Sequence, residues 1–345
     1  MENNIKNYRY KGKDNSWLSP LYNRMCGYLV PFISVSVSPN IITIIGASGI
    51  AFSAVLVLLF KHVIAHSTLC LVCFFFLFFY QMMDILDGQQ AKRVGMYHNP
   101  TTELFDHGFD AVTTMLVMYN LLSLSGLLES NYKACLLIFL LSFSNFYLTT
   151  WEHAVTGIMT FKNVVSSPTD SIFITKILFV VLAFYPGLFS LPHVVDITLL
   201  LTVIATVANF VDIALRRIGL WDLRIIPLGL PWLQLMLAIK YNLKINIPLI
   251  VLPMLIAILM LIWVEITRVR YNLALLLGVY FIGLLSPFWG LLLSVLVYFG
   301  LFLYYSSKMC SVLKMKYFYT IPKNKEHHAG FVLSPLRMEQ DIPAW

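Results

Sequence analysis

Of the seventeen aspartates and glutamates in this chain, five fall between residues 84 and 110: Asp84, Asp87, Glu103, Asp106 and Asp110. They lie at the ends of apolar runs, where a carboxylate is costly unless it meets water, a cation or a partner. Asp84 and Asp87 are three residues apart, so a helix places both on one face. Asn99-Pro100 reads as a helix start, with Asn99 as the cap and Pro100 in the first turn. On the helix that follows, Glu103, Asp106, His107 and Asp110 stand at i, i+3, i+4 and i+7 and form one stripe. Two adjacent antiparallel helices would bring Asp84, Asp87, Asp106 and Asp110 to one point. Four carboxylates there repel one another unless cations sit among them, and an all-oxygen set suits Mg²⁺, Mn²⁺ or Ca²⁺. Such ions typically bridge phosphate oxygens in phosphoryl transfer. Gly88 and Ala91 remove bulk beside the acids, and Lys92 and Arg93 are cations that could hold a phosphate. The alternative is a set of acids solvated at a membrane surface.

The elements that must position these residues are membrane helices. The chain has 345 residues, 59% of them hydrophobic and only 12% charged, with a mean hydropathy of +0.78. A soluble domain of this size needs far more polar surface. The apolar runs are continuous and not alternating, which excludes a β-barrel, and several exceed the ~18 residues of a bilayer crossing. The expected fold is all-α: a polytopic transmembrane helical bundle of about ten spans, near 40–62, 67–90, 101–126, 132–156, 169–189, 194–214, 224–241, 247–266, 268–286 and 288–307. Pro and Gly punctuate the breaks, as at Ser38-Pro39-Asn40, Pro186-Gly187, Pro248 and Pro287.

The net charge of +7 reads as membrane orientation and not as nucleic-acid binding. With the N-terminus inside, most Lys and Arg fall in inside segments, among them Lys6, Arg9, Arg93, Lys162, Arg216, Arg217, Arg268 and Lys308. The outside loops and their edges hold only Lys61, Lys133, Lys240 and Lys244. Both termini are therefore expected in the cytosol, and the acid cluster with them. No cleaved signal peptide is read at the N-terminus. Five cysteines, two of them (Cys70 and Cys73) one turn apart in an apolar run, suggest no disulfide framework and no thiolate metal site.

The acid pattern resembles the signature of the CDP-alcohol phosphotransferase family, D-x2-D-G-x2-A-R followed after about eight residues by G-x3-D-x3-D. Here it reads D84-I-L-D87-G-Q-Q-A91-K92, nine residues, then T102-E-L-F-D106-H-G-F-D110. "YRYKGKDNSWLSP", "SPNIITIIG" (Ser38 to Gly46), "ELFDHG" and "TWEHAVTG" (Thr150 to Gly157) are similar to segments of the family's eukaryotic choline/ethanolamine phosphotransferase branch. The resemblance covers roughly residues 8–172.

The resemblance implies four regions: a cytosolic amphipathic segment at 1–38, catalytic helices at 39–215, further transmembrane helices at 216–307 and a cytosolic tail at 308–345. It implies transfer of a phosphoalcohol from CDP-choline or CDP-ethanolamine to diacylglycerol, giving phospholipid and CMP, with Mg²⁺ or Mn²⁺ required. Asp84, Asp87, Asp106 and Asp110 would hold the metal. Asp87, Gly88, Ala91 and Lys92 would lie near the CDP group. It assigns the base either to Asp110 or to the Glu103–His107 pair, and implies a homodimer in an endoplasmic-reticulum or Golgi membrane.

On residue chemistry His107 is the better base, oriented by Glu103, because a metal-bound Asp110 has its proton affinity lowered by the cation. The alternative for His107 is a structural polar group. Lys92 stands where the family keeps Arg, and Thr102 where it keeps Gly, so both bear on nucleotide fit. Asn40 could bind a phosphate or cap the first span. Trp151 and Glu152 suit an ammonium headgroup, though a Trp at a membrane interface is common. Lys176 could snorkel or meet a lipid phosphate. Two rival functions remain open: a cation or solute transporter using the intramembrane acids, and a degenerate, non-catalytic family member.

Overall fold

Apolar runs bounded by Pro, Asn and Ser become helices that begin at those residues. The structure, a computed structural model, describes residues 1–14, 16–160, 167–215, 222–241 and 247–321. Lys162, Arg216, Arg217, Lys244 and the tail from 322 onward, all used in the charge reading, lie outside the described residues. In chain order the elements are α1 (Glu2–Lys6), β1 (Gly12–Lys13), α2 (Ser19–Leu29), α3 (Pro39–Phe60), α4 (His66–Arg93), α5 (Pro100–Leu124), α6 (Leu127–Ser130), α7 (Tyr132–Thr156), β2 (Met159–Thr160), α8 (Pro168–Phe184), α9 (Val194–Leu215), α10 (Ile226–Tyr241), α11 (Ile247–Thr267), α12 (Leu273–Leu285) and α13 (Pro287–Val312). Among the described residues, five helices are long and apolar enough to cross a membrane: α3, α4, α7, α9 and most of α13. Shorter apolar stretches in α10, α11 and α12 complete an all-α bundle of the expected class.

The expected helix starts hold. Asn99 caps α5, its side-chain oxygen accepting from the Thr101 amide at 2.9 Å. α8, whose start was not marked from the sequence, begins with a reciprocal capping box of Ser167 and Asp170. Boundaries differ where backbone chemistry intervenes. The span expected at 268–286 begins only at Leu273, because Arg268 takes a left-handed φ of 56° and Asn272 caps α12. The fifth expected span stops at Phe184, two residues before Pro186, and α13 continues to Val312 instead of 307.

Packing then sets the site. α3 lies along α4 and α5, α4 packs on α8, and α7 packs on α9 and α11. Gly46 permits a close α3–α4 approach: a Cβ there would sit 2.8 Å from Met83 Cβ. α11 runs through the core, with Ile256, Ala257, Ile258 and Leu259 completely buried. It contacts α5, α7 and α13 at once. The N-terminal segment is drawn onto this bundle. Ile5 and Tyr8 are buried, and Asn4 Nδ2 donates to the Thr267 carbonyl at 2.7 Å. β1 pairs in parallel with β2, Gly12 opposite Met159 and Lys13 opposite Thr160. Two residues per strand leave no alternation to read, so the sequence offered no sign of this pairing.

Candidate active site

Asp84 comes from α4, and Asp106 and Asp110 from α5. One carboxylate oxygen from each lies within 4.8 Å of the other two; Asp87, expected as a fourth member, is not part of this group. Asp87 is buried at the next turn of α4 and accepts a hydrogen bond from the Thr43 hydroxyl of α3. Asp110 accepts one from the Tyr80 hydroxyl of α4. The donor set is all-oxygen and anionic, so the residues present fit a hard divalent cation. Gly88 faces open space: a Cβ built there meets nothing within 4 Å, which agrees with room for a ligand.

A second cluster adjoins the first. Glu103 and His107, one turn apart on α5, are both buried. His107 Nδ1 lies 2.9 Å from Glu103 Oε1, and its Nε2 lies on the acid-cluster side, 3.9 Å from Asp106 Oδ2. A carboxylate can only accept, so a proton on Nδ1 suits this contact. The same Glu103 oxygen lies 3.4 Å from His153 Nδ1 on α7. His153 Nε2 lies 3.8 Å from Glu265 Oε1 on α11, and Arg268 Nη2 lies 3.5 Å from that oxygen. Three helices thus converge on the Glu103–His107 pair.

Tyr10 of the N-terminal segment roofs this cluster, its ring edge-on to His107 at 6.0 Å and to His153 at 5.9 Å between centroids. Burial first, then Glu103, holds the Tyr8 and Tyr10 hydroxyls protonated well above the usual phenol range, so neither adds a negative charge beside the acids. At the far end of α7, Gly157 ends the helix with φ 73°. A Cβ there would sit 3.1 Å from Arg268 Nη2. Gly157 therefore admits both the turn and the guanidinium.

The other expected site residues distribute unevenly. Ala91 packs in a small core cluster with Met96, Cys310 and Met315, so the room beside the acids comes from Gly88. Lys92 is solvent-exposed, its ammonium 5.0 Å above the Tyr97 ring. Arg93 is committed elsewhere: it donates to the Val30 and Ile33 carbonyls at 2.8 and 2.6 Å, bracing the α2–α3 connection. Asn40 is fully buried and does not cap α3, whose cap position is Ser38. It donates to the Phe318 carbonyl at 2.7 Å. Thr102 is buried at the start of α5. Trp151 is completely buried and Glu152 nearly so, on α7 beside His153, so Trp151 is a core residue and not an interfacial one.

His153, Glu265, Thr43 and Tyr10 were not singled out from the sequence, and Arg268 was read only as an inside charge. Glu265 had a usable signal, an acid in the run MLIWVEIT, since an ionisable residue inside a span is a functional candidate. The others are polar residues of ordinary type whose significance comes from tertiary contact.

The site is therefore of a definite class: a buried His–Glu pair facing a hard-cation carboxylate cluster within a membrane helical bundle. The chain is 33% identical over 175 residues to an uncharacterised CDP-alcohol phosphatidyltransferase class-I family protein of Schizosaccharomyces pombe, covering 49% of this chain and 44% of that protein. It is 30% identical over 190 residues to choline/ethanolaminephosphotransferase 1 of Saccharomyces cerevisiae, covering 53% and 46%. It is 26% identical over 163 residues to cholinephosphotransferase 1 of Rattus norvegicus, covering 46% and 40%. These matches support the CDP-alcohol phosphotransferase family, and its eukaryotic choline/ethanolamine branch, as the chain's relatives. The chain spans less than half the length of each of these three proteins. No family model matches it.

Proposed function

We propose that the chain is an integral-membrane transferase that moves phosphocholine or phosphoethanolamine from its CDP-alcohol to diacylglycerol, giving phosphatidylcholine or phosphatidylethanolamine and CMP. The observation that carries this is the His107 imidazole, held by Glu103 at 2.9 Å with its other nitrogen turned to the Asp84, Asp106 and Asp110 carboxylates. The hydroxyl oxygen of diacylglycerol attacks the phosphorus that bears the alcohol. A new P–O bond forms, the P–O bond to CMP breaks, and the hydroxyl proton passes to His107 Nε2. Glu103 holds the imidazole in the required tautomer and offsets the charge it gains. His153, Glu265 and Arg268 hold Glu103 in place from α7 and α11. Asp84, Asp87, Asp106 and Asp110 would hold Mg²⁺ or Mn²⁺, which when bound neutralises phosphate oxygens.

Asn40, Asp87, Gly88, Ala91, Lys92 and Thr102 belong to the proposed CDP-alcohol region, with Trp151 and Glu152 toward the headgroup. Asp110 is kept as the alternative base. The site is proposed to face the cytosol, with both termini on that side, in a ten-span chain of an endoplasmic-reticulum or Golgi membrane that assembles as a homodimer. The regions at 1–38, 39–215, 216–307 and 308–345 keep the roles given them above.

The test is expression in membranes lacking this activity, supplied in turn with CDP-choline and CDP-ethanolamine labelled in the headgroup. Label must appear in the corresponding phospholipid with at least one donor. No labelled lipid from either donor, beside an active relative treated in the same way, refutes the proposal.

A further inference from the structure

Lys176 does not snorkel. It lies eight residues into α8, about 12 Å along the helix from its start, and is only 3% exposed. Its ammonium donates to the Tyr22 hydroxyl of α2 at 2.7 Å and to Gln81 Oε1 of α4 at 2.5 Å. It stands 4.8 Å from the Tyr22 ring, 5.2 Å from Phe78 and 5.5 Å from Phe173. Among the described residues no carboxylate lies within ion-pair distance of it. Two neutral oxygens and three ring faces solvate the ammonium but carry no net charge. A cation in a membrane span without an anion is costly and marks a site by default.

The missing anion has a place to sit. Lys176 borders a cavity of ≈ 320 Å³ between α2, α4 and α8 whose other walls are apolar, Phe74, Phe78, Phe173, Ile177, Val180 and Val181 among them. That volume is at the lower end for small-ligand sites and accommodates a phosphate with the glycerol esters behind it. Phe173 and Ile177, at the rim, are exposed on the bundle surface, so acyl chains can continue outward into lipid. Gln81 precedes Asp84 by three residues on α4, about 4.5 Å of helix.

We propose that this cavity binds an anionic glycerophospholipid, its phosphate accepting from the Lys176 ammonium and its acyl chains lying over Phe173 and Ile177. The occupant is a lipid and not free phosphate, because every wall except the lysine is hydrocarbon or aromatic. The site is separate from the proposed catalysis and is tested without it. The purified chain is mixed in detergent with phosphatidic acid, or with diacylglycerol of the same acyl chains, and retained lipid is read by native mass spectrometry. The expected result is about tenfold stronger retention of phosphatidic acid, from the one charge-assisted contact. Lys176→Met should bring the two lipids level, Lys176→Arg should keep the preference, and Val180→Trp, which fills the cavity, should reduce phosphatidic acid to the diacylglycerol level. Equal retention by the wild-type chain, full preference in Lys176→Met, or displacement by millimolar inorganic phosphate overturns the proposal. If Lys176→Met does not fold, Val180→Trp decides: an undiminished preference in that variant overturns it.

Discussion

His107, Glu103 and Thr43 each carry a separable part of the proposed chemistry. His107→Gln removes the base while keeping a polar side chain of similar reach. It should lower kcat by about 10²–10⁴ and leave the KM for the CDP-alcohol within a few-fold, read by CMP release. If kcat were retained, Asp110 would be the base. Thr43→Val removes the hydroxyl that donates to buried Asp87. Hydrogen bonds to charged groups contribute about 1.5–3 kcal/mol, so activity should fall roughly tenfold and the Mg²⁺ concentration for half-activity should rise. An unchanged metal requirement would separate Asp87 from the metal. At this scale helical periodicity put Asp106 and Asp110 on one face of α5, and the expected antiparallel neighbour α4 brought Asp84 to them, whereas Asp87 falls outside that group of three. The sequence was not legible for His153 or Thr43, since nothing local marks a polar residue that meets its partner from another helix. Nor did the sequence show that Ala91, small beside the acids, packs against Met96, Cys310 and Met315.

Elements matter through the few points where they must approach closely. α7 ends at Gly157, whose left-handed backbone and contact with Arg268 tie α7 to the end of α11. Gly157→Ala forces a Cβ into a conformation that disfavours it by about 1–2 kcal/mol and pushes on a guanidinium that in turn meets Glu265. Thermal unfolding should move to lower temperature. An unchanged midpoint would show that α7 and α11 accommodate the methyl group without strain. The N-terminal segment acts as a roof over His107 through Tyr10. Tyr10→Ala should admit water, so that CMP release exceeds phospholipid formed. A ratio that stays at one would deny Tyr10 that role. Helix starts were readable from Ser38-Pro39-Asn40 and Asn99-Pro100 because caps and prolines are local signals. The β1–β2 pairing was not, since it depends on contacts between segments far apart in the chain, and neither was the break at Arg268, a left-handed turn at a non-glycine residue.

On the scale of the whole molecule, hydropathy alone specified an α-helical membrane bundle, as a continuous apolar run has few other ways to satisfy its backbone in lipid. Which helix occupies the centre was hidden, because strong apolarity suits a lipid-facing helix as well as a central one; α11 and α12 are both strongly apolar, and the central role of α11 emerges only where α5, α7 and α13 meet around it. That arrangement places a carboxylate cluster and a His–Glu pair in one buried region, and the proposed metal-dependent transfer depends on both. The most direct test is CMP release by the purified chain in lipid, with diacylglycerol and CDP-choline or CDP-ethanolamine, measured with Mg²⁺ or Mn²⁺, with a chelator, and for Asp87→Asn. The expected result is CMP and phospholipid in equal amounts, lost with the chelator, restored by either metal and reduced at least a hundredfold in the variant. CMP release that survives the chelator, or full activity in Asp87→Asn, would contradict the metal-centred site.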